Sequence, residues 1–531
     1  MTSTTGTWTL IRFILRRDRI RIPIWIAGIV GFFLLVAASF PTIYPTEQER
    51  QARAQLMENP TAMAFRGPGY GLDDYTYGAM LAHELMGYAA IAAALMSIFL
   101  VIRHTRTEEE TGRQELVRAS VVGRYASPVA ALTVVVAVNL LIAGLFAGLL
   151  PVIPGDYSVH GALAFGLGLA AVGIVFAGIG AVTSQLSEFG RGASGMAVSA
   201  LGAFYLVRAV GDVQDNVLRW FSPFGWAQAT RPFVDERWWP LFIALGVAVL
   251  VIGAAFLLIN RRDVGAGIYP EKPGPATAGA RLTNPVGFAL NQQRGGLIGW
   301  TAGVAIIGFA FGSLIGDIEA FVEDNPQLEE FMGTGEATLM DGFLGLVVMV
   351  MAFMATGFAV GSAMRPRSQE TDGLAEPMLT TGLPRQRWLG GYLLVSMLGS
   401  AVILLAGSAA LGAVAALDQD DLSLFTGSLG AGLAYLPAIW LIVGLVAALF
   451  GALPRLLVIP WIVLIFGVFI GLFGDMLEVP GWAQAISPFD HVPELPGGSV
   501  ELWPIAALAS IAMLLVALGQ YAFRLRDLEM S

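Results

Sequence analysis

Two segments of this 531-residue chain carry the same charged pattern. The first reads Arg106-Thr-Glu-Glu109-Glu-Thr-Gly112-Arg-Gln-Glu115, with Arg124 further on. The second reads Arg367-Ser-Gln-Glu370-Thr-Asp-Gly373-Leu-Ala-Glu376, with Arg385 further on, and all five matches share the offset 261. Positions three apart drift slowly around a helix, so Arg106, Glu109, Gly112 and Glu115 are expected on one stripe. A glycine there admits another backbone, and the carboxylates receive basic groups or helix N-termini from a partner. The pattern predicts a short docking helix; the plainer reading is a solvated charged loop. Two loops that keep the stripe while their neighbours diverge favour docking.

A second set of candidates lies within apolar stretches. Ionisable groups there are functional candidates by default, and His83, Glu84 and Arg208 are the clear ones in the first half. A Glu84–Arg208 ion pair closing an outer mouth is one expectation, and interfacial snorkelling to water is the other. At the offset of 261, His83 and Glu84 fall on Leu344 and Gly345, so the second half lacks the pair. Tyr88, Met96, Phe204, Tyr205, Met349, Met351 and Phe353 offer adaptable apolar and aromatic surface suited to bulky amphiphiles, or else ordinary packing and lipid contact.

Other chemistry is missing. A phosphate-cradling G-x-x-x-x-G-K-[ST] loop needs its lysine, and Lys272 stands in Tyr269-Pro-Glu-Lys272-Pro273, where the prolines exclude that geometry. Cysteine is absent, and His83, His104, His160 and His491 form no H-E-x-x-H pattern, so no metal centre is expected.

The elements that position these residues are membrane helices. AVILMFWYC make up 56% of the chain and charged residues 13%, against about 25% charged in soluble domains. That excludes a cytosolic enzyme, a disordered chain and a fibrous protein. Twelve stretches approach or exceed the ~20 apolar residues that cross a bilayer. They lie near 22–43, 78–102, 128–151, 161–184, 193–211, 240–260, 297–316, 342–364, 389–415, 429–452, 456–474 and 502–523. Residues 7–21 are too basic for a cleavable signal peptide, and none is expected.

Charge sets the orientation. With the N-terminus inside, the internal segments hold 23 basic and 13 acidic residues and the external ones 7 and 27. The net charge of −10 thus divides into +10 inside and −20 outside, with both termini cytoplasmic. Much of the external acid sits in 317–341 (Asp317, Glu319, Glu323, Asp324, Glu329, Glu330, Glu336 and Asp341). A solvated loop is the simple reading, and attraction of a cation or drug the alternative.

Further matches extend the repeat. Arg19 and Trp25-x-Ala27-Gly28 correspond to Arg294 and Trp300-x-Ala302-Gly303, Ser222-Pro223-Phe224 to Ser487-Pro488-Phe489, and Arg262-Asp263 to Arg526-Asp527. The expected fold is an all-α polytopic membrane protein, its twelve transmembrane helices a tandem parallel repeat of two six-helix halves, with a pathway between them. Residues 1–260 form the first half, 261–296 a Pro/Gly/Ala-rich cytoplasmic linker with a second connecting helix, and 297–531 the second half. Residues 7–21 read as a basic amphipathic helix in the inner headgroup plane, or as a plain positive-inside anchor. The second copy, Asn284–Arg294, is weaker. Segments 212–239 and 475–501 read as re-entrant pieces forming a lid, with a drug site as the alternative. Arg208, Arg219, Arg231 and Arg237 there are expected to find Asp212, Asp215, Asp235 or Glu236.

The loop from Glu109 to Arg124 resembles the cytoplasmic loop of ABC exporter permeases. Its duplication, with Ser222-Pro-Phe-Gly-Trp226, Arg231-Pro-Phe and Arg237-Trp-Trp-Pro240, resembles the actinobacterial polyketide-antibiotic exporter family of tetronasin-resistance type. The resemblance spans nearly the whole chain and is specific in the two loops and in 222–240. It implies a fused permease in the plasma membrane that pairs with two copies of a separately encoded ATPase. ATP and magnesium would sit on that partner and no cofactor on this chain. It also implies that coupling falls on Arg106, Glu109, Gly112, Glu115 and Arg124, and on Arg367, Glu370, Gly373, Glu376 and Arg385. Leu374 and Pro377 replace Arg113 and Leu116 in the second copy, so the two docking sites are expected to be unequal. The implied cargo is a hydrophobic antibiotic or drug moved outward; nucleic acid is not an expected partner. The rival reading is a proton-driven secondary multidrug transporter, which needs buried carboxylates along its route, with Glu84 the one candidate.

Overall fold

A computed structural model describes the chain apart from residues 1–2, 56, 58–59, 114, 116–118, 120, 263–264, 270–275, 278, 280–281, 314, 316–335, 474–478, 494, 496, 498–501 and 528–531, and apart from the side chains of 60, 61, 336–340 and 473. Lys272, most of the proline linker and the acidic run from Asp317 to Glu330 lie outside the described residues.

Lipid offers no partners to backbone N–H and C=O groups, so apolar stretches of this length must close their hydrogen bonds within helices. The described residues contain no strand. Among the described residues, twelve helices of 19 to 34 residues are long and apolar enough to cross a membrane, one for each expected stretch. The protein is a multi-pass membrane protein.

The chain divides into two compact units, Met1–Pro273 and Gly274–Ser531. In the first, α1 (Thr7–Arg17) turns into the span α2 (Arg21–Ile43), which contains a π-helical stretch at Ala27–Gly31. Two short helices, α3 (Glu47–Gln55) and α4 (Pro60–Arg66), lead to α5 (Tyr77–His104), N-capped by Thr76. The short α6 (Arg106–Glu110) follows, then spans α7 (Ala126–Leu149), α8 (Val159–Leu186) and α9 (Gly190–Val213). The short α10 (Pro223–Gln228) precedes the last span, α11 (Trp239–Ile259).

The second unit contains α12 (Pro285–Gly312), α13 (Glu336–Ala363), the short α14 (Arg365–Thr371) and α15 (Ala375–Leu379). Spans α16 (Arg385–Asp418), α17 (Leu422–Ala452) and α18 (Ile459–Phe473) come next, then α19 (Gly481–Gln484) and α20 (Leu502–Leu525). The expected amphipathic copy at Asn284–Arg294 is not a separate helix. It is the first part of α12, which runs unbroken into its span, whereas α1 and α2 are parted by a turn at 18–20.

Each unit has its own apolar core. In the absence of a hydrophobic driving force between helices, close approach depends on small residues. A Cβ on Gly166 of α8 would stand 2.7 Å from the Ala143 carbonyl oxygen of α7, and one on Gly451 of α17 only 2.2 Å from that of Gly519 on α20. With an even number of spans, each unit begins and ends on one side, called here the entry face; the opposite side is the far face.

Candidate functional site: repeated clamps on the entry face

The charged pattern does not form one helical stripe. Helix α6 ends at Glu110, and Gly112 and Gly373 both take φ +70°, a left-handed conformation that reverses the chain and disfavours L side chains. A Cβ at either glycine would meet nothing within 4 Å, so the turn, and no approaching backbone, calls for glycine. Of the pattern residues before the turn, Arg106 and Glu370 are buried and Glu109 and Arg367 half-buried; Glu115 and Glu376 after it are exposed.

Arg106 is almost wholly buried. Its Nε donates to the Glu188 carbonyl at 2.8 Å, Nη2 to that of Gly265 at 2.7 Å, and Nη1 to Glu109 Oε2 at 2.6 Å. One guanidinium therefore joins α6, the α8–α9 connection and the segment after α11. Glu109 is gripped from the other side by Arg262, whose Nη1 and Nη2 each donate to one carboxylate oxygen at 2.8 Å. Arg262 Nε also donates to Gln185 Oε1 at the end of α8. A planar fork on a carboxylate is the strong form of ion pair.

The second unit repeats the device. Arg367 Nη1 lies 3.3 Å from Glu370 Oε2, and Arg526 Nη2 donates to both Glu370 oxygens at 2.8 Å. The remaining arginines act alike as well. Arg124 donates to the Ile259 carbonyl that ends α11, and Arg385 to the Arg526 carbonyl just past α20. In each unit the loop after the second span is thus fastened to the end of the last span.

In the first unit the loop is also tied to α1. Arg17 pairs with Glu108, while buried Asp18 accepts from His104 Nε2 at 2.7 Å and from Arg103 Nε at 3.3 Å. The Gly123 and Tyr125 N–H groups bond the Thr5 and Ser3 carbonyls. The offsets within the repeat place Gln292 at the position of Arg17 and Gln369 at that of Glu108. These two amides meet at 2.8 Å. A charged tether in one unit is an uncharged one in the other. Arg17, Asp18, His104 and Glu108 escaped the sequence reading because one-sided charge near a span also marks a plain positive-inside anchor.

On the far face, Glu84 pairs with Arg53 of α3 and not with Arg208. Arg53 Nε and Nη2 donate to its two oxygens at 3.1 and 3.0 Å, and Arg66 stands 4.0 Å away. Burial would lower the Arg53 pKa, but the hydrogen bond and charge of Glu84 outweigh it and hold the guanidinium above its ordinary value. The Tyr75 hydroxyl, pushed up by burial and then by the Glu84 charge, lies 3.0 Å from His83 Nδ1 and donates to Glu84 Oε1 at 3.4 Å. Arg208 lies 3.5 Å from Asp212 on its own helix and donates to the Ala64 and Phe65 carbonyls. With Tyr205 on Phe65 and Gln228 on the Arg66 carbonyl, it satisfies the C-terminal carbonyls of α4, where a cation also suits the helix dipole. Arg208 is inaccessible because α4 covers it, an element the spans alone do not announce. Arg219 pairs with Asp215, and Arg231 and Arg237 with Asp235.

The expected pathway residues scatter. Met96 and Met351 are fully buried within their own units; their helices are apolar on every side, so a Met at helical spacing does not reveal its face. Phe353 packs edge-on to Phe489, 4.9 Å between centroids, and Phe204 against Phe176. Tyr205 packs on Phe224 and Met349 is half-buried. Tyr88 alone among them is exposed.

Twelve apolar helices, six in each unit and each unit with an ionic clamp at its own entry face, make up a helical multi-pass membrane protein, and comparison with known proteins specifies it further. The chain belongs to the family described as multidrug efflux system permease Rv1217c, C-terminal domain, which matches residues 9–258 and 282–524. It is 36% identical over 535 residues to the multidrug efflux system permease protein Rv1217c of Mycobacterium tuberculosis, across 99% of this chain and 96% of that relative.

Proposed function

We propose that this chain is the membrane-spanning subunit of an ABC exporter of the tetronasin-resistance type. Two copies of a separately encoded ATPase bind its entry face and drive hydrophobic antibiotics or drugs outward. ATP and magnesium belong to those subunits. The entry face is cytoplasmic with both termini, the membrane is the plasma membrane, and the two units are copies of one six-span design.

The observation that carries this reading is the clamp found in both units. Each couples an exposed carboxylate (Glu115 or Glu376) through a left-handed turn to a largely buried ion pair with an arginine just past the last span. Push on the exposed part reaches the spans through rigid charged contacts, the kind of two-state element an ATP-driven switch requires. The proton-driven alternative gains little support, since Glu84 and Asp212 each face an arginine.

Co-purification tests the proposal. The chain is expected to bring down an ATP-binding subunit, and Glu115→Arg with Glu376→Arg to abolish that capture and efflux together. Efflux by the chain in vesicles free of any ATPase, collapsing with a protonophore, would overturn it.

A further inference from the structure

Helix α1 presents a face that the protein leaves uncovered. Ile14 and Asp18 turn into the unit and are buried. Arg12, Arg16 and Arg19 are exposed, as is Arg21 at the start of α2. Arg12 and Arg16, one turn apart, share the side opposite Ile14. Among the described residues none of the four arginines meets a carboxylate. The side chains around them are exposed apolar ones, Trp8, Phe13, Leu15 and Ile20, and the Arg12 guanidinium sits 5.1 Å from the Trp8 ring centroid.

Position decides what this surface meets. Only the turn at 18–20 separates α1 from the apolar span α2, so α1 lies where hydrocarbon gives way to headgroups. Arginines interleaved with Trp, Phe and Leu at that depth match the interfacial helix pattern, with apolar side chains in the acyl boundary and cations at the phosphates. We propose that α1 is a docking surface for anionic phospholipid headgroups. Occupancy is relayed inward, because the residues on either side of the exposed stripe are the tether: Arg17 holds Glu108 and Asp18 holds His104. The matching stretch of α12 carries no such stripe, since Gln292 and Gln293 stand beside a single arginine, Arg294. The inference goes beyond the proposed function and stands whatever energises transport.

The full chain in nanodiscs tests it. Trp8 emission, taken as the difference from Trp8→Phe, is quenched by brominated phosphatidylglycerol or brominated phosphatidylcholine at equal mole fraction. The phosphatidylglycerol-to-phosphatidylcholine quenching ratio is expected several-fold above one. Each arginine near an anionic surface contributes roughly fivefold to partition. Arg12→Gln with Arg16→Gln and Arg19→Gln should therefore bring the ratio to about one, as should high salt on the unaltered protein, while lysine at the three positions keeps it. A ratio of about one in the unaltered protein, or one insensitive to both the glutamines and salt, overturns the proposal. So does loss of ATPase-subunit capture in the glutamine variant with the lipid ratio unchanged, which would give the face to a protein partner.

Discussion

Glu109 and Arg262 lie 153 positions apart and meet as a two-pronged ion pair, 2.8 Å at each oxygen. Both are nearly buried, and Arg106 shares the carboxylate, so removal of Glu109 takes the common anion from two guanidiniums at a cost of about 3–5 kcal/mol, while removal of Arg262 leaves Glu109 to Arg106 and costs less. Glu109→Gln or Arg262→Gln should depress the apparent melting temperature in detergent. Glu109→Leu combined with Arg262→Leu should cost less than the two singles added together, which a double-mutant cycle measures. Equal costs on addition would dismiss the clamp.

The tether from Arg17 to Glu108 has its uncharged counterpart in Gln292 and Gln369. Installing the second unit's chemistry in the first, Arg17→Gln with Glu108→Gln, should cost about 1 kcal/mol or less, since the pair is part-exposed. Amide exchange across 105–111 should rise only slightly and lose its dependence on salt. Glu108→Gln alone should loosen the same amides more.

Arg208 serves the carbonyls that end α4. Arg208→Met takes the cation from them and the nearest one from the buried Asp212, for a loss of about 3–5 kcal/mol. Tyr205→Phe removes one hydrogen bond to Phe65, worth about 1 kcal/mol. Limited proteolysis within 57–66 should quicken strongly in the first variant and mildly in the second. An unchanged digestion pattern would detach α4 from this anchor.

Gly112→Ala and Gly373→Ala force an alanine to φ near +70°, at about 1–2 kcal/mol each. The space is open at both sites, so the two substitutions should cost alike, as paired thermal melts would show. A much larger cost at one site would mean that another backbone does approach it.

Asp421, which caps α17, accepts from the Ser423 hydroxyl and backbone N–H, and these bonds hold its pKa below the ordinary carboxylate value. Its folded pKa lies below the unfolded one, so the contribution is present above the unfolded pKa and lost as pH falls through the folded one. Amides 423–426 should exchange faster on acidification through that window, and Asp421→Ala should erase the change.

Residues with two roles mark where the reading of the chain reached its limit. Arg262 and Arg526 were visible as a repeated pair, and Glu109 and Glu370 as another, but nothing local joins one pair to the other. Gly112 read as room for another backbone; the open space around it and its left-handed φ show a turn in its place. Glu84 was legible as an ionisable group in an apolar stretch, to be paired with Arg208 or to snorkel to water. Only Arg208 was offered as its cation; the burial of Arg208 under α4 left Arg53 of α3, which nothing local singles out, to answer.

What the amino-acid order determined alone is the set of twelve helices, because hydrocarbon leaves a backbone one local way to satisfy itself. The duplicated charge pattern is equally plain in it. Only the tertiary structure decided which carboxylates stay in water and which are spent inside. Glu109 and Glu115 have the same chemistry six positions apart, and a left-handed turn between them sends one to Arg262 and leaves the other exposed.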